Sequence, residues 1–183
     1  MKKGHRLGID LGNVSLKLVV LGEENELVFQ EYIFHQGKPV VLFRDLLDKI
    51  KSRFSIEWIG ITGSLAHLLT KSIKVKAVDL IRAEIAWVKR QVKEVRNILD
   101  LGGSSVSLIE LDEKGEFKNY TTNAVCAAGT GSFLDEQAKR LQINYTDLCE
   151  FDEVIDPPSV AARCSVFAKS DLIHLQQEGY SQA

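Results

Sequence analysis

Two stretches decide how this chain is read: residues 9–20, "IDLGNVSLKLVV", and residues 99–110, "LDLGGSSVSLIE". Each carries an apolar segment into an aspartate (Asp10, Asp100), then an apolar residue and a glycine (Gly12, Gly102). Each then crosses a small or polar turn and returns as a second apolar segment. Strand-forming residues on both sides of a Gly-Asn or Gly-Gly turn predict a hairpin in each place. Glycine admits positive φ and lets backbone N–H groups approach a ligand, where they can cradle phosphate oxygens. An aspartate at the strand end cannot hold phosphate, but it can hold Mg²⁺ or its waters. Ser15, Lys17, Ser104 and Ser105 would add side-chain donors, and Asn13 and Gly103 fall in the same turns. One copy alone reads better as an ordinary hairpin turn with a glycine. Two copies in equivalent places favour a pair of phosphate-binding turns that clamp a nucleotide tail from both sides.

The same order of elements recurs around each hairpin. In the first half, residues 6–12, 15–22 and 26–35 read as three strands of an antiparallel meander. A helix follows over 40–54, with Leu42, Leu46, Leu47 and Ile50 at helical spacing. Residues 56–63 form a strand stopped by glycine, 64–72 a short helix and 74–81 a short strand or connector. Residues 81–92 form a helix with Ile81, Ile85, Val88 and Val92 on one stripe. In the second half, residues 95–123 repeat strand, turn, strand, turn, strand, and a helix begins near Gly131. "FDEVIDPPS" (151–159) is a polar, proline-containing break, and 160–179 reads as a further helix. This predicts a duplicated α/β architecture, with domains at 1–94 and 95–183.

Composition narrows the function classes. The chain has 183 residues, 45% hydrophobic and 26% charged, with a net charge of −2. Those are the proportions of a globular protein with a real core, and no general nucleic-acid binder is expected. No apolar run reaches the roughly 18 to 20 residues that span a bilayer, and no signal-peptide pattern precedes the first strand. Three cysteines do not make a disulfide framework, so a reducing cytoplasm is expected. His5, His35, His67 and His174 form no zinc motif, and neither a Walker loop nor a serine-hydrolase elbow is present.

The third informative stretch is "NAVCAAGTGSFLDEQAKRL", residues 123–141. Cys126 stands directly before Gly129, Thr130 and Gly131, a small glycine-rich turn that opens onto a helix. A helix N-terminus stabilises a thiolate, the form of cysteine that binds metal. Cys164 follows in "ARCSVF"; it also falls on a stripe with Val160, Phe167, Ala168, Leu172 and Leu175, which would make it a buried core thiol. Cys149 has no partner pattern and reads as packing.

The two acidic turns resemble the phosphate-binding hairpins of the actin, sugar-kinase and chaperone ATPase superfamily. "NAVCAAGTGSFLDEQAKRL" and "ARCSVFAKSDLI" resemble, more narrowly, signatures of the ATP-dependent activators of 2-hydroxyacyl-CoA dehydratases and benzoyl-CoA reductases. The resemblance implies two ribonuclease-H-like lobes with mixed sheets that close over ATP and Mg²⁺. Asp10 and Asp100 would orient metal and water, and Gly12, Asn13, Ser15, Lys17, Gly102, Gly103, Ser104, Gly129, Thr130 and Gly131 would meet the nucleotide. Cys126 and Cys164 from each of two subunits would hold a single [4Fe–4S] cluster across a homodimer. Glu84 matches a family glutamate. An electron would come from a donor such as ferredoxin or flavodoxin and pass to an acyl-CoA dehydratase or reductase component. No nucleic acid or membrane partner is implied.

Two positions depart from the family pattern. Ser104-Ser105 stands where Gln-Asp is common, and Trp87 where a histidine often follows the Glu-Ile pair, which puts ATP hydrolysis in question. The second lobe is expected to be incomplete, ending before the adenosine-binding Gly-Gly turn, as in an N-terminal segment of a longer protein. A non-catalytic dimerisation module and a metal-free sugar or acyl kinase relative are the alternatives.

Overall fold

A computed structural model describes residues 4–123, 130–145, 156–162 and 164–181. Two compact units divide it: one runs up to Arg96 and includes Asp112–Phe117, the other comprises Asn97–Leu111 and the residues from Lys118 onward.

The first unit is built on the meander read from the sequence. Strands β1 (His5–Leu11), β2 (Ser15–Leu21) and β3 (Leu27–Phe34) pair antiparallel, and β4 (Ile56–Thr62) runs parallel to β1, in the order β3-β2-β1-β4. Alternation does the sorting, because successive side chains of a strand point to opposite faces. Leu7, Ile9 and Leu11 lie opposite Val20, Leu18 and Leu16, and all six are buried. Helix α1 (Pro39–Arg53) starts at a proline suited to a first helical position and brings Phe43, Leu46, Leu47 and Ile50 into the same cluster. Helix α2 (His67–Ile73) adds Leu69. The segment between α2 and the next helix is a connector: it touches the sheet at one bridge, Ile61 to Ala77. Helix α3 (Leu80–Gln91) is capped by Asp79, whose carboxylate accepts from the Arg82 N–H at 3.0 Å. The stripe Ile81, Ile85 and Val88 is only half-buried, and Val92 lies at the C-cap, 54% exposed.

In the second unit, β5 (Asn97–Leu101), β6 (Val106–Leu111) and β7 (Phe117–Thr122) form a three-stranded sheet in that order. Helices α4 (Gly131–Leu141) and α5 (Ser165–Gln177) follow. The β6–β7 turn, whose residues Asp112–Phe117 group with the first unit, is held by Asp112, whose Oδ1 accepts from the backbone N–H of Glu116 at 2.9 Å and of Lys114 at 2.8 Å. The Glu116 N–H above all holds the Asp112 carboxyl below its ordinary pKa, with Lys114, Arg96 and Lys89 acting in the same direction. No helix of the described residues is long and apolar enough to cross a membrane.

Helix α5 is shorter than the sequence reading. It begins at Ser165, not near Val160, and Cys164 is its N-cap, with extended backbone (φ −130°, ψ 118°). Pro157 and Pro158 precede it, and the Ala161 N–H is taken by Asp171 Oδ2 at 2.9 Å in place of a helical partner. The apolar stripe therefore fails at its start. Ala168 is buried, but Phe167 is 65% exposed, so Cys164 is not a core thiol on a helix face.

Positive φ also falls elsewhere than expected. Among the described glycines it occurs at Gly37, Gly63, Gly115 and Gly179, and not in the two acidic turns. Gly63, just after β4, has φ 102°, and a methyl there would lie 2.4 Å from the Leu11 carbonyl oxygen and 2.5 Å from Asp10 Oδ1. Gly63→Ala is therefore expected to cost at least about 1–3 kcal/mol of unfolding free energy. Urea denaturation reads it; a loss below about 0.5 kcal/mol would show that the turn tolerates a side chain.

Candidate functional site

The two acidic turns close in the same way. In the first, the Gly12 N–H donates to the Ser15 carbonyl at 3.0 Å; in the second, the Gly102 N–H donates to the Ser105 carbonyl at 2.8 Å. Asp10 pairs in register with Lys17, and Asp100 with Ser107, so the aspartates occupy matching places at the end of each first strand. With positive φ absent, the glycines supply room. A methyl on Gly102 would meet Ser105 at 3.1 and 3.2 Å, whereas one on Gly12 would make only an ordinary contact at 3.5 Å.

The turns differ in their charge. Lys17 Nζ lies 2.7 Å from Asp10 Oδ2, with the side chains 44% and 27% exposed. An ion pair this open contributes about 0–1 kcal/mol to stability, so its value lies in what it presents to solvent. In the second turn the matching partner, Ser107, is buried and uncharged. Asn13 is exposed and accepts from the Ser64 hydroxyl at 3.0 Å, Ser104 is exposed, and Ser15 is buried.

Each turn is anchored by the chain that follows its sheet. The Leu11 carbonyl accepts from the Leu65 N–H at 2.9 Å, which sets the segment after β4 against the first turn. In the second turn, the Gly102 and Gly103 carbonyls accept from the Gly131 and Ser132 N–H groups at 2.9 and 3.0 Å. The first amides of a helix have no partner inside it, and here two of them are taken by the turn. The approach is tight: a methyl on Gly131 would sit 3.3 Å from the Gly102 oxygen and 3.4 Å from the Gly103 Cα, so the turn would have to give by a few tenths of an ångström. Thr130, the N-cap, is fully buried.

Helix α4 is tied to α5 by Glu136 with Lys169 and by Arg140 with Gln176. Cys164, at the N-cap of α5, carries a free, half-buried thiol. Val166 and Phe167 beside it are 68% and 65% exposed. Cys126, Gly129 and Cys149 lie outside the described residues. Among the described residues, no group of three or more His, Cys, Asp or Glu could hold a metal ion. Glu84 is half-buried on α3, and Trp87 is 64% exposed on the same helix.

Sequence reading missed three parts of the first turn's surroundings. Gly63 was seen only as a strand stop, although it touches the Asp10 carboxylate position. Ser64 holds Asn13, and His35 touches Gly12 from 23 positions away. The Thr62-Gly63 step at a strand end next to Asp10 is the one local signal that could have been used.

The sequence profile of the BadF/BadG/BcrA/BcrD ATPase family matches residues 7–183. The activator of lactoyl-CoA dehydratase from Anaerotignum propionicum is 30% identical over 182 residues, covering 97% of this chain and 70% of the relative. A benzoyl-CoA reductase component from Thauera aromatica is 33% identical over 186 residues, covering 95% and 64%. The structure of the activator of 2-hydroxyisocaproyl-CoA dehydratase from Clostridium difficile, with bound ADPNP, superposes with a TM-score of 0.78 at 25% identity, covering 97% of this chain and 67% of that one. The chain thus spans about two thirds of the length of these relatives. With its paired acidic turns and mixed sheet, it belongs to the BadF/BadG/BcrA/BcrD ATPase family and has the ribonuclease-H-like fold of actin-like ATPases.

Proposed function

We propose that this chain is the nucleotide-binding part of an ATP-dependent iron–sulfur activator that passes an electron to an acyl-CoA dehydratase or reductase component. The observation that carries the reading is the continuous set of contacts from the second acidic turn to Cys164. Gly102 and Gly103 hold the first amides of α4, and α4 is bonded through Glu136 and Arg140 to α5, which Cys164 caps.

In this reading Asp10 and Asp100 hold Mg²⁺ or its water, and Lys17 offers its charge to a phosphate oxygen. Gly12 and Gly102 keep their own N–H groups for closing the turns and leave room for the approach, while Asn13, Gly103 and Ser104 meet the phosphates. Thr130 and Gly131 serve by fixing the α4 start to the turn. A change of nucleotide that favours one position of the turn shifts the α4 start with it, because a ligand acts only through its preference for one conformation.

The thiol side of the proposal rests on the chemistry of the donors. The N-cap of a helix favours negative charge, and the Cys164 side chain makes no capping hydrogen bond there. A cubane cluster takes about four cysteine ligands and the chain has three cysteines, so Cys126 and Cys164 of two copies would together hold it. The exposed Val166 and Phe167 would supply apolar surface for that homodimer. A [4Fe–4S] cluster in this place supplies a one-electron carrier, charged by a ferredoxin- or flavodoxin-type donor. Such a protein works in the cytoplasm.

Two outcomes are expected. Purified without oxygen, the protein should contain about four irons per dimer, and Cys164→Ser should lose them while keeping its melting temperature. An iron-free monomer after cluster reconstitution would refute the metal reading. Lys17→Met should weaken Mg·ATP binding by about tenfold or more, as the loss of a charged hydrogen bond does. It should change the unfolding free energy by less than about 1 kcal/mol. Unchanged affinity would remove Lys17 from the site.

A further inference from the structure

His35, at the end of β3, is buried and has both ring nitrogens occupied. The Gly37 N–H donates to Nδ1 at 3.2 Å, so Nδ1 carries a lone pair. Nε2 lies 3.1 Å from the Gly12 carbonyl oxygen, which can only accept, so the proton is on Nε2. These two contacts hold the ring in place between the Gly37 amide and the Gly12 carbonyl. The His35 backbone N–H also reaches the Val14 carbonyl at 3.2 Å, so the connection into α1 is fastened to the first acidic turn twice.

The second unit shows what this fastening replaces. Gly102 matches Gly12, each donating its N–H across its own turn. The Gly102 carbonyl is also held from beyond the third strand, but there the donor is the backbone N–H of Gly131, the first residue of α4. Helix α4 begins against its turn and can use an amide. Helix α1 begins only at Pro39, after a turn with two left-handed residues, Gln36 and Gly37 (φ 48° and 78°). A proline has no N–H to give, and a side chain must reach back instead.

We infer that His35 is a positioning residue for the first acidic turn, its Nε2–H holding the Gly12 carbonyl as the Gly131 amide holds that of Gly102. The inference rests on the nucleotide reading above. A carbonyl left without its donor lets the turn rotate, and the amides and Asp10 that flank Gly12 lose their fixed direction.

Two substitutions separate the two ring nitrogens. A glutamine amide reaches about as far as Nε2 and can still donate to Gly12; an asparagine amide reaches about as far as Nδ1 and can still serve Gly37, but not Gly12. The probe is the Mg²⁺ complex of the non-hydrolysable analogue ADPNP, titrated calorimetrically into the full chain, with melting temperatures alongside. His35→Asn should weaken binding about tenfold and His35→Gln by less than about twofold, at similar melting temperatures. Wild-type affinity in His35→Asn overturns the inference, and so do equal losses in both variants that track their melting temperatures. A wild-type chain that binds no ADPNP overturns the nucleotide reading and this inference with it. If His35→Asn does not fold, ¹⁵N NMR of the wild-type imidazole decides. A protonated Nε2 whose resonance shifts when ADPNP is added supports the role; a protonated Nδ1, or no shift at saturation, removes it.

Discussion

The carbonyl oxygen of the first glycine in each acidic turn has a donor from beyond the third strand of its own unit: the first residue of a helix in one, the residue that follows the strand in the other. Gly102 takes the amide of Gly131, and Gly12 takes the imidazole of His35. A backbone polar group withdrawn from water without a partner costs free energy comparable to a lost hydrogen bond. The turn and the helix start are therefore set together. At Gly102 and Gly131 the glycine serves close approach rather than an unusual dihedral angle.

In the second unit this constraint continues outward. Helix α4 starts where the turn holds it, and its Glu136 and Arg140 side chains bond to α5, whose N-cap is Cys164. The individual side-chain contacts are exposed and each is worth little. The stronger links are the backbone bonds at the α4 start and the burial of Thr130 and Ala168. A ligand that prefers one position of the turn thus has a short covalent and hydrogen-bonded route to a cysteine, and the Cys126 segment directly precedes the same helix in sequence.

The hairpins and the first meander were legible because alternation and turn composition are local signals. Leu7, Ile9 and Leu11 on β1, and Leu16, Leu18 and Val20 on β2, announce their buried faces in the order of the letters. Long-range choices were not legible. Periodicity extended α5 back to Val160, since it cannot see that Asp171 captures the Ala161 N–H and that two prolines stand just before. The acidic turns hold no positive-φ glycine, whereas Gly63 has one, and a methyl there would meet the Leu11 carbonyl and the Asp10 carboxylate of another strand. His35 carried no motif because its partner is a carbonyl, which leaves no trace in residue type. The roles assigned to Cys126 and Gly129 fall outside the described residues and rest on sequence alone.

The central claim is that nucleotide at the acidic turns and the metal site at the cysteines are one coupled system. Electron paramagnetic resonance of the dithionite-reduced protein tests it most directly, comparing saturating Mg·ADP with saturating Mg·ADPNP. Coupling through the α4 start predicts a different line shape in the two nucleotide states, with intermediate spectra at intermediate occupancy. Identical spectra at full occupancy would mean that the turns bind nucleotide without informing the cysteines, and would contradict the account.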